Sequence, residues 1–219
     1  MSEKRNAKTI VAGLVICASV LLLYAFLHGF GPSFDTASHK ALGETLANEA
    51  LKLRGPAGRI TIIARDTSLN KNPCVDAQLK AFQETIKKAR TTNSVLFIKL
   101  NPIRLVAVPP GDFLELIKKR TETDVIVSLI GPPDLSDQQA SQVRAKSPKI
   151  IAVCSGWGPR QVDLRRIFEQ GLLTSAVISR EDSSKLAAAT SRETFERNFA
   201  VVTPGNLSDL PLVVRSAAR

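Results

Sequence analysis

"RITIIARDTSLNKNPCVDAQLKAFQETIKKA", residues 59 to 89, joins a β-branched apolar run to a helical pattern through a single polar loop. The run "RITIIARD" (59–66) is nearly continuous in Ile, Thr and Ala, which marks a strand covered on both faces. In "CVDAQLKAFQETIKKA" (74–89), Val75, Leu79, Phe82 and Ile86 recur three or four residues apart and share one face of a helix. A strand leading into such a helix is the first half of a βαβ unit. The fold depends on whether the pattern repeats.

It does repeat along the chain. "SVLFIKL" (94–100) reads as a second strand that continues irregularly through "IRLVAV" (103–108). "GDFLELIKKR" (111–120) is a short helix after Pro109-Pro110, with Asp112 placed favourably for the helix dipole. "DVIVSLI" (124–130) is strand three, and "LSDQQASQVRAKS" (135–147) is a polar helix ended by Pro148. "KIIAVCS" (149–155) is strand four. "PRQVDLRRIFEQG" (159–171) has Pro early and Gly late, the usual asymmetry of a helix. "TSAVISR" (174–180) is strand five. Residues 59–180 therefore predict an α/β lobe: a doubly wound, parallel, five-stranded sheet of flavodoxin-like type, strand order 2-1-3-4-5. Residues 181–219 follow with a helix over 183–199, a short strand within 200–211, and a polar tail.

On the amino side, "DTASHKALGETLANEALKLRG" (35–55) is amphipathic and stopped by Gly55-Pro56, so 31–58 reads as a linker plus a helix leading into the lobe. Further back lies "TIVAGLVICASVLLLYAFL" (9–27), which carries no charge. Its length suits the ~20 residues a helix needs to span a bilayer. Lys4, Arg5 and Lys8 precede it and no Lys or Arg follows until Lys40. The positive-inside rule then predicts a cytoplasmic tail (1–8), a single-pass transmembrane helix (9–30) in the inner membrane, and a periplasmic, extracytoplasmic domain. The apolar core is longer than a cleaved signal peptide requires and has no small-x-small site after it, so a signal-anchor is expected. Cys17 sits mid-run, which argues against a lipoprotein.

The formal net charge of +10 comes from 30 Lys and Arg against 20 Asp and Glu. The basic residues are scattered beside acids and not interleaved with aromatics, so solvated helix faces are expected and nucleic-acid binding is not. Of the three cysteines, Cys74 and Cys154 lie beyond the apolar segment, and a disulfide between them is considered alongside two buried thiols. Their spacing suggests no metal site.

Catalytic constellations are scarce. The two histidines, His28 and His39, lie outside the strand ends, so a Ser-His or Cys-His pair lacks its base. No glycine-rich phosphate loop is present, and no cofactor is implied. A receiver would need a Lys after strand five, where Arg180-Glu181 stands. An enzyme, in practice a hydrolase, would have only Asp66 and Ser155 to work with. In open parallel sheets ligands bind outside the carboxyl ends of the strands. "RDTSLNKNP" (65–73), "GPPD" (131–134) and "SGWG" (155–158) occupy that edge, though such residues are also what βα turns are made of.

The strand, polar loop, Asn-Pro and long helix of 59–89 resemble the opening of type I periplasmic sugar-binding proteins. "FLELIKKRTETDVIVSLIGPP" (113–133) looks like their next unit, a helix and a strand ending at a proline. "QVRAKSPKIIAVCSGW" (142–157) is similar to the fourth. The resemblance covers residues ~59–180 and one lobe of a two-lobed family, with no room for a second. It implies Asp66, Asn72, Pro132 and Ser155 as ligand-edge positions. After Asn72-Pro73 the family's aromatic pair is replaced by Cys74 and Val75, leaving Trp157 as a candidate stacking group. The expectation is a membrane-anchored binding or interaction module, for a small solute or through a homodimer or an envelope protein partner. The alternative is a structural envelope-assembly component without a ligand.

Overall fold

The computed structural model describes residues 15–24, 35–68, 71–99, 108–133, 135–143, 147–154, 163–180 and 190–207. The chain divides into two compact units, Met1–Asp35 and Thr36–Arg219.

In the first unit residues 15–24 are helical. Ile16, Leu21, Leu22 and Leu23 are all exposed. Ser19 donates its hydroxyl to the Val15 carbonyl at 2.8 Å, satisfying that side chain within the helix itself. Among the described residues no helix is long and apolar enough to cross a membrane. The rest of the segment 9–30 lies outside the described residues.

The second unit is a three-layer α/β/α arrangement. Its elements are α1 (Thr36–Leu53), β1 (Ile60–Arg65), α2 (Pro73–Lys88), β2 (Asn93–Ile98), α3 (Pro110–Lys118), β3 (Val125–Ser128), α4 (Asp137–Ala140), β4 (Lys149–Cys154), α5 (Leu164–Glu169), β5 (Ser175–Ser179), α6 (Ser191–Asn198) and β6 (Phe199–Val202). The sheet order is β2-β1-β3-β4-β5-β6. The first five strands are parallel, in the order expected, and β6 adds an antiparallel edge against β5. The sheet is thus six-stranded and mixed. Residues 199–202 run straight from α6 into β6 at the extended Phe199, and β6 pairs antiparallel with β5 although α6 lies between them in the chain.

β1, β3, β4 and β5 are buried almost throughout, which is why their sequences are unbroken apolar runs. β2 departs from the expectation of strands covered on both faces: Ser94, Leu96 and Phe97 are exposed. Lying at the sheet edge, it has among the described residues a neighbour on one side only.

Two apolar clusters hold the layers. On one face Leu42, Leu46, Phe82, Ile86 and Phe195, from α1, α2 and α6, pack against Ile62, Val127 and Val153. On the other, Phe113, Ile117, Ala140, Leu164 and Phe168, from α3, α4 and α5, pack against Ile63, Ile126 and Ile150. Each fully buried Phe, Leu or Ile contributes about 1.5–3 kcal/mol. α1 is therefore integral to the compact unit and not an arm leading to it. It approaches α2 so closely that a Cβ on Gly43 would strike the carbonyl oxygen of Gln78.

The helix expected over 135–147 is a single turn, α4. A capping box on Ser136 and Gln139 starts it. Beyond Ala140 only Val143 and Ala145 are apolar, too little to hold a longer helix against the sheet, and residues 141–143 form a turn. α5 and α6 begin later than expected, at Leu164 and Ser191, with residues 155–162 and 181–189 outside the described residues. The irregular continuation of strand two through 103–107 is also outside them, while Val108 bridges in parallel to Pro133.

Candidate functional site

Strand order and helix placement together create a crevice. From β1 the chain moves through α2 to β2 on one side, then crosses back through α3 to β3 on the other. α2 and α3 lie on opposite faces of the sheet. The loops leaving β1 and β3 therefore part at adjacent carboxyl ends, the switch point at which open α/β sheets take ligands.

The loop after β1 is built by its own polar side chains. Asp66 extends the ladder by donating its N–H to the Ile98 carbonyl at 3.0 Å. Its carboxylate accepts the Ser68 N–H at 2.9 Å, an Asx-type turn. The Ser68 hydroxyl and N–H hold the Asp66 carboxyl below the usual carboxylate range against the opposing effect of burial, and the charge of Lys99 adds to the lowering. Asp66 is thus an ionised, half-exposed acceptor at the rim. Thr67 donates to the Asp76 carboxylate at 3.1 Å, tying the loop to the first turn of α2.

Asn72 is the N-cap of α2. Its Oδ1 accepts the N–H groups of Cys74 at 3.1 Å and Val75 at 3.3 Å, and Pro73 follows at the first helical position, where no N–H is needed. The cap uses the oxygen of the side-chain amide and leaves its NH₂ to donate elsewhere. Cys74 and Val75 are half-buried first-turn residues of α2.

Across the crevice, Ser128 is fully buried at the end of β3 and donates its hydroxyl to the Gly131 carbonyl at 2.5 Å. Gly131 takes a φ of 104°, a conformation that only glycine adopts without strain. Pro132 and Pro133 are buried. The Gly-Pro-Pro corner is therefore packed inside the protein just past the end of β3.

Of the positions expected at the ligand edge, Asp66, Asn72 and Pro132 are thus brought to the ends of β1 and β3, while Ser155 and Trp157 lie outside the described residues. Cys74 and Cys154 are both thiols and no bridge joins them. Cys154 is 1% exposed, and burial pushes its thiol up to about 12. Lys99 and Ser128 were not among the positions read from sequence. The signal for Ser128 is a lone hydroxyl within "VIVSLI"; that for Lys99 is its place just past the end of the strand beside β1. Among the described residues no group of three metal-ligating side chains converges.

No family model matches the chain. No curated protein matches it either. Solved structures do resemble it. An arabinose-binding protein from Geobacillus stearothermophilus is 15% identical with a TM-score of 0.48, over 79% of this chain and 63% of that one. A transporter solute-binding protein from Agrobacterium vitis with bound D-fucose is 15% identical with a TM-score of 0.48, over 80% and 61%. A ureidoglycine-glyoxylate aminotransferase from Bacillus subtilis is 10% identical with a TM-score of 0.42, over 83% and 40%. The chain spans about three-fifths of the length of the two binding proteins. In fold, the chain resembles one lobe of periplasmic sugar-binding proteins.

Proposed function

We propose that the chain is a membrane-anchored binding module whose lobe lies on the extracytoplasmic side and takes a small polar solute at the β1–β3 crevice. The observation that carries this reading is the doubly wound strand order, which sets Asp66, Thr67, Ser68 and Asn72 at the switch point. The chemistry of the rim supports a polyhydroxylated solute. Asp66 offers an ionised acceptor and the Asn72 amide a donor, and a hydroxyl group answers both. The proposal includes no catalytic step.

The anchor rests on the uncharged run 9–27, the basic residues on its amino side only, and the exposed apolar side chains of helical residues 15–24. Alkaline phosphatase fused after Arg219 tests the topology: activity in intact cells is expected, and an inactive fusion would overturn it.

For the solute, thermal unfolding of the detergent-solubilised chain is followed against a panel of neutral monosaccharides and polyols at millimolar levels. A rise in the unfolding temperature that Asp66→Ala abolishes is the expected result. No rise with any of them overturns the solute reading.

A further inference from the structure

We propose that the open edge of β2 is a homodimer seam, pairing antiparallel with β2 of a second copy about a two-fold axis perpendicular to the sheet. β2 bonds to β1 on one side, and among the described residues the sheet ends on the other. Within Thr36–Arg219, among the described residues, the large apolar side chains left exposed are Leu96 and Phe97, at 37% and 55%, adjacent on this strand. Natural edge strands are blunted by charges, prolines or bulges. From Asn93 to Ile98 this one carries no charge or proline.

The two side chains point to opposite faces. Ile98, and Leu96 two residues before it, lie on the α3 face, while Val95 and Phe97 lie on the α1–α2 face. A strand added at the edge covers both at once, as one helix laid on either face cannot. Beside the strand is a groove of about 470 Å³, floored by Leu96, Ile98 and Leu116 and rimmed by Lys99, Asp112, Glu115 and Lys119, the last two joined in an ion pair at 2.6 Å.

The charges of that rim select a second copy as the occupant. α3 carries Asp112 in its first turn and Lys118 in its last, with Lys119 next in the chain. A two-fold axis perpendicular to the sheet keeps the two α3 helices on one face and runs them antiparallel across the seam. Asp112 of one copy then faces Lys118 and the Glu115-paired Lys119 of the other, twice, and the helix dipoles oppose. A surface with both signs in this order complements itself, as an isologous interface requires, whereas a uniformly acidic or basic partner would meet like charge at one end.

The inference goes beyond the solute reading and its test needs no solute. The full chain in detergent is measured by light scattering and by analytical ultracentrifugation. A dimer is expected, weakened about 30-fold or more by Phe97→Glu, the size of an interface hot spot. Because Phe97 is exposed, the variant should keep its circular dichroism and unfolding temperature. Asp112→Lys should weaken the dimer, and adding Lys119→Asp in the same chain should restore it. A wild-type chain that stays monomeric overturns the proposal. So does a dimer that survives Phe97→Glu, which would place the contact elsewhere, in the N-terminal helix for example.

Discussion

The carboxylate of Asp124 accepts the backbone N–H of Arg59 at 2.6 Å, across 65 residues of chain. Its other oxygen accepts the Thr121 N–H at 2.8 Å and the Thr121 hydroxyl at 3.2 Å. The backbone joins in: Val125 donates to the Arg59 carbonyl, and Lys149 to that of Asp124. The side chain of Asp124 thus pins the start of β1 to the turn before β3, and its backbone carbonyl holds the start of β4, all at the amino edge. Burial alone would raise the Asp124 carboxyl. The hydrogen bonds from Arg59 and Thr121, with the charge of Arg120, outweigh it and bring the group below its usual value.

Asp124→Asn should therefore destabilise the lobe by about 2–3 kcal/mol at pH 7, since its NH₂ would meet the Thr121 N–H, donor against donor. A carboxyl lowered in the folded state adds stability above its ordinary value of about 3.9 and loses it as pH falls toward the folded one. Urea midpoints of the two chains should be well separated at pH 7 and converge toward pH 2. An equal separation at both would show that charge is not involved.

Asn72→Ala removes the cap of α2 and should cost about 1 kcal/mol. Asp66→Ala, at an exposed turn, should cost less than half of that. Both should abolish solute-induced stabilisation, so ligand response and basal stability separate in the Asp66 variant. A chain that loses its cap yet binds unchanged would remove Asn72 from the site.

Gly43→Ala reverses a familiar rule. Alanine in a helix usually stabilises by about 1 kcal/mol over glycine. Here the added methyl would strike the Gln78 carbonyl and lie 3.2 Å from the Ala81 Cβ, so α1 and α2 must part. A net loss of about 1–3 kcal/mol is expected from overpacking, read from the unfolding midpoint. An unchanged or raised midpoint would mean that the helices separate at no cost.

Gly131→Ala should cost about 1–3 kcal/mol, because the new residue must hold a φ of 104°. Ser128→Ala strips the donor from the buried Gly131 carbonyl and should cost a similar amount. Since both act on one corner, the double variant should fall short of the sum of the two. Strict additivity would show that hydroxyl and turn are independent.

Cys154 should resist thiol reagents in the native chain, its thiolate being disfavoured at neutral pH. In a Cys17→Ser background, Cys74 should label first and Cys154 only on unfolding, as mapped by mass spectrometry of the labelled peptides. Equal labelling rates in the folded protein would contradict the burial described.

The apolar runs of β1, β3, β4 and β5, the Asn72-Pro73 start of α2 and the alternation of strand and helix were readable along the chain, because each depends on neighbours a few residues away. So was the end of the sheet at which a site would form, which follows from strand direction alone. What the tertiary structure decided involves partners far apart. Asp124 reads as an ordinary loop acid until Arg59 is beside it. β6 pairs antiparallel with β5 although α6 lies between them, and α4 stopped after one turn for want of apolar side chains to hold it. "SVLF" looks like any buried strand by composition. Only its place at the sheet edge leaves Leu96 and Phe97 in water, since local pattern encodes how apolar a segment is and the number of flanking strands decides how much of it is covered.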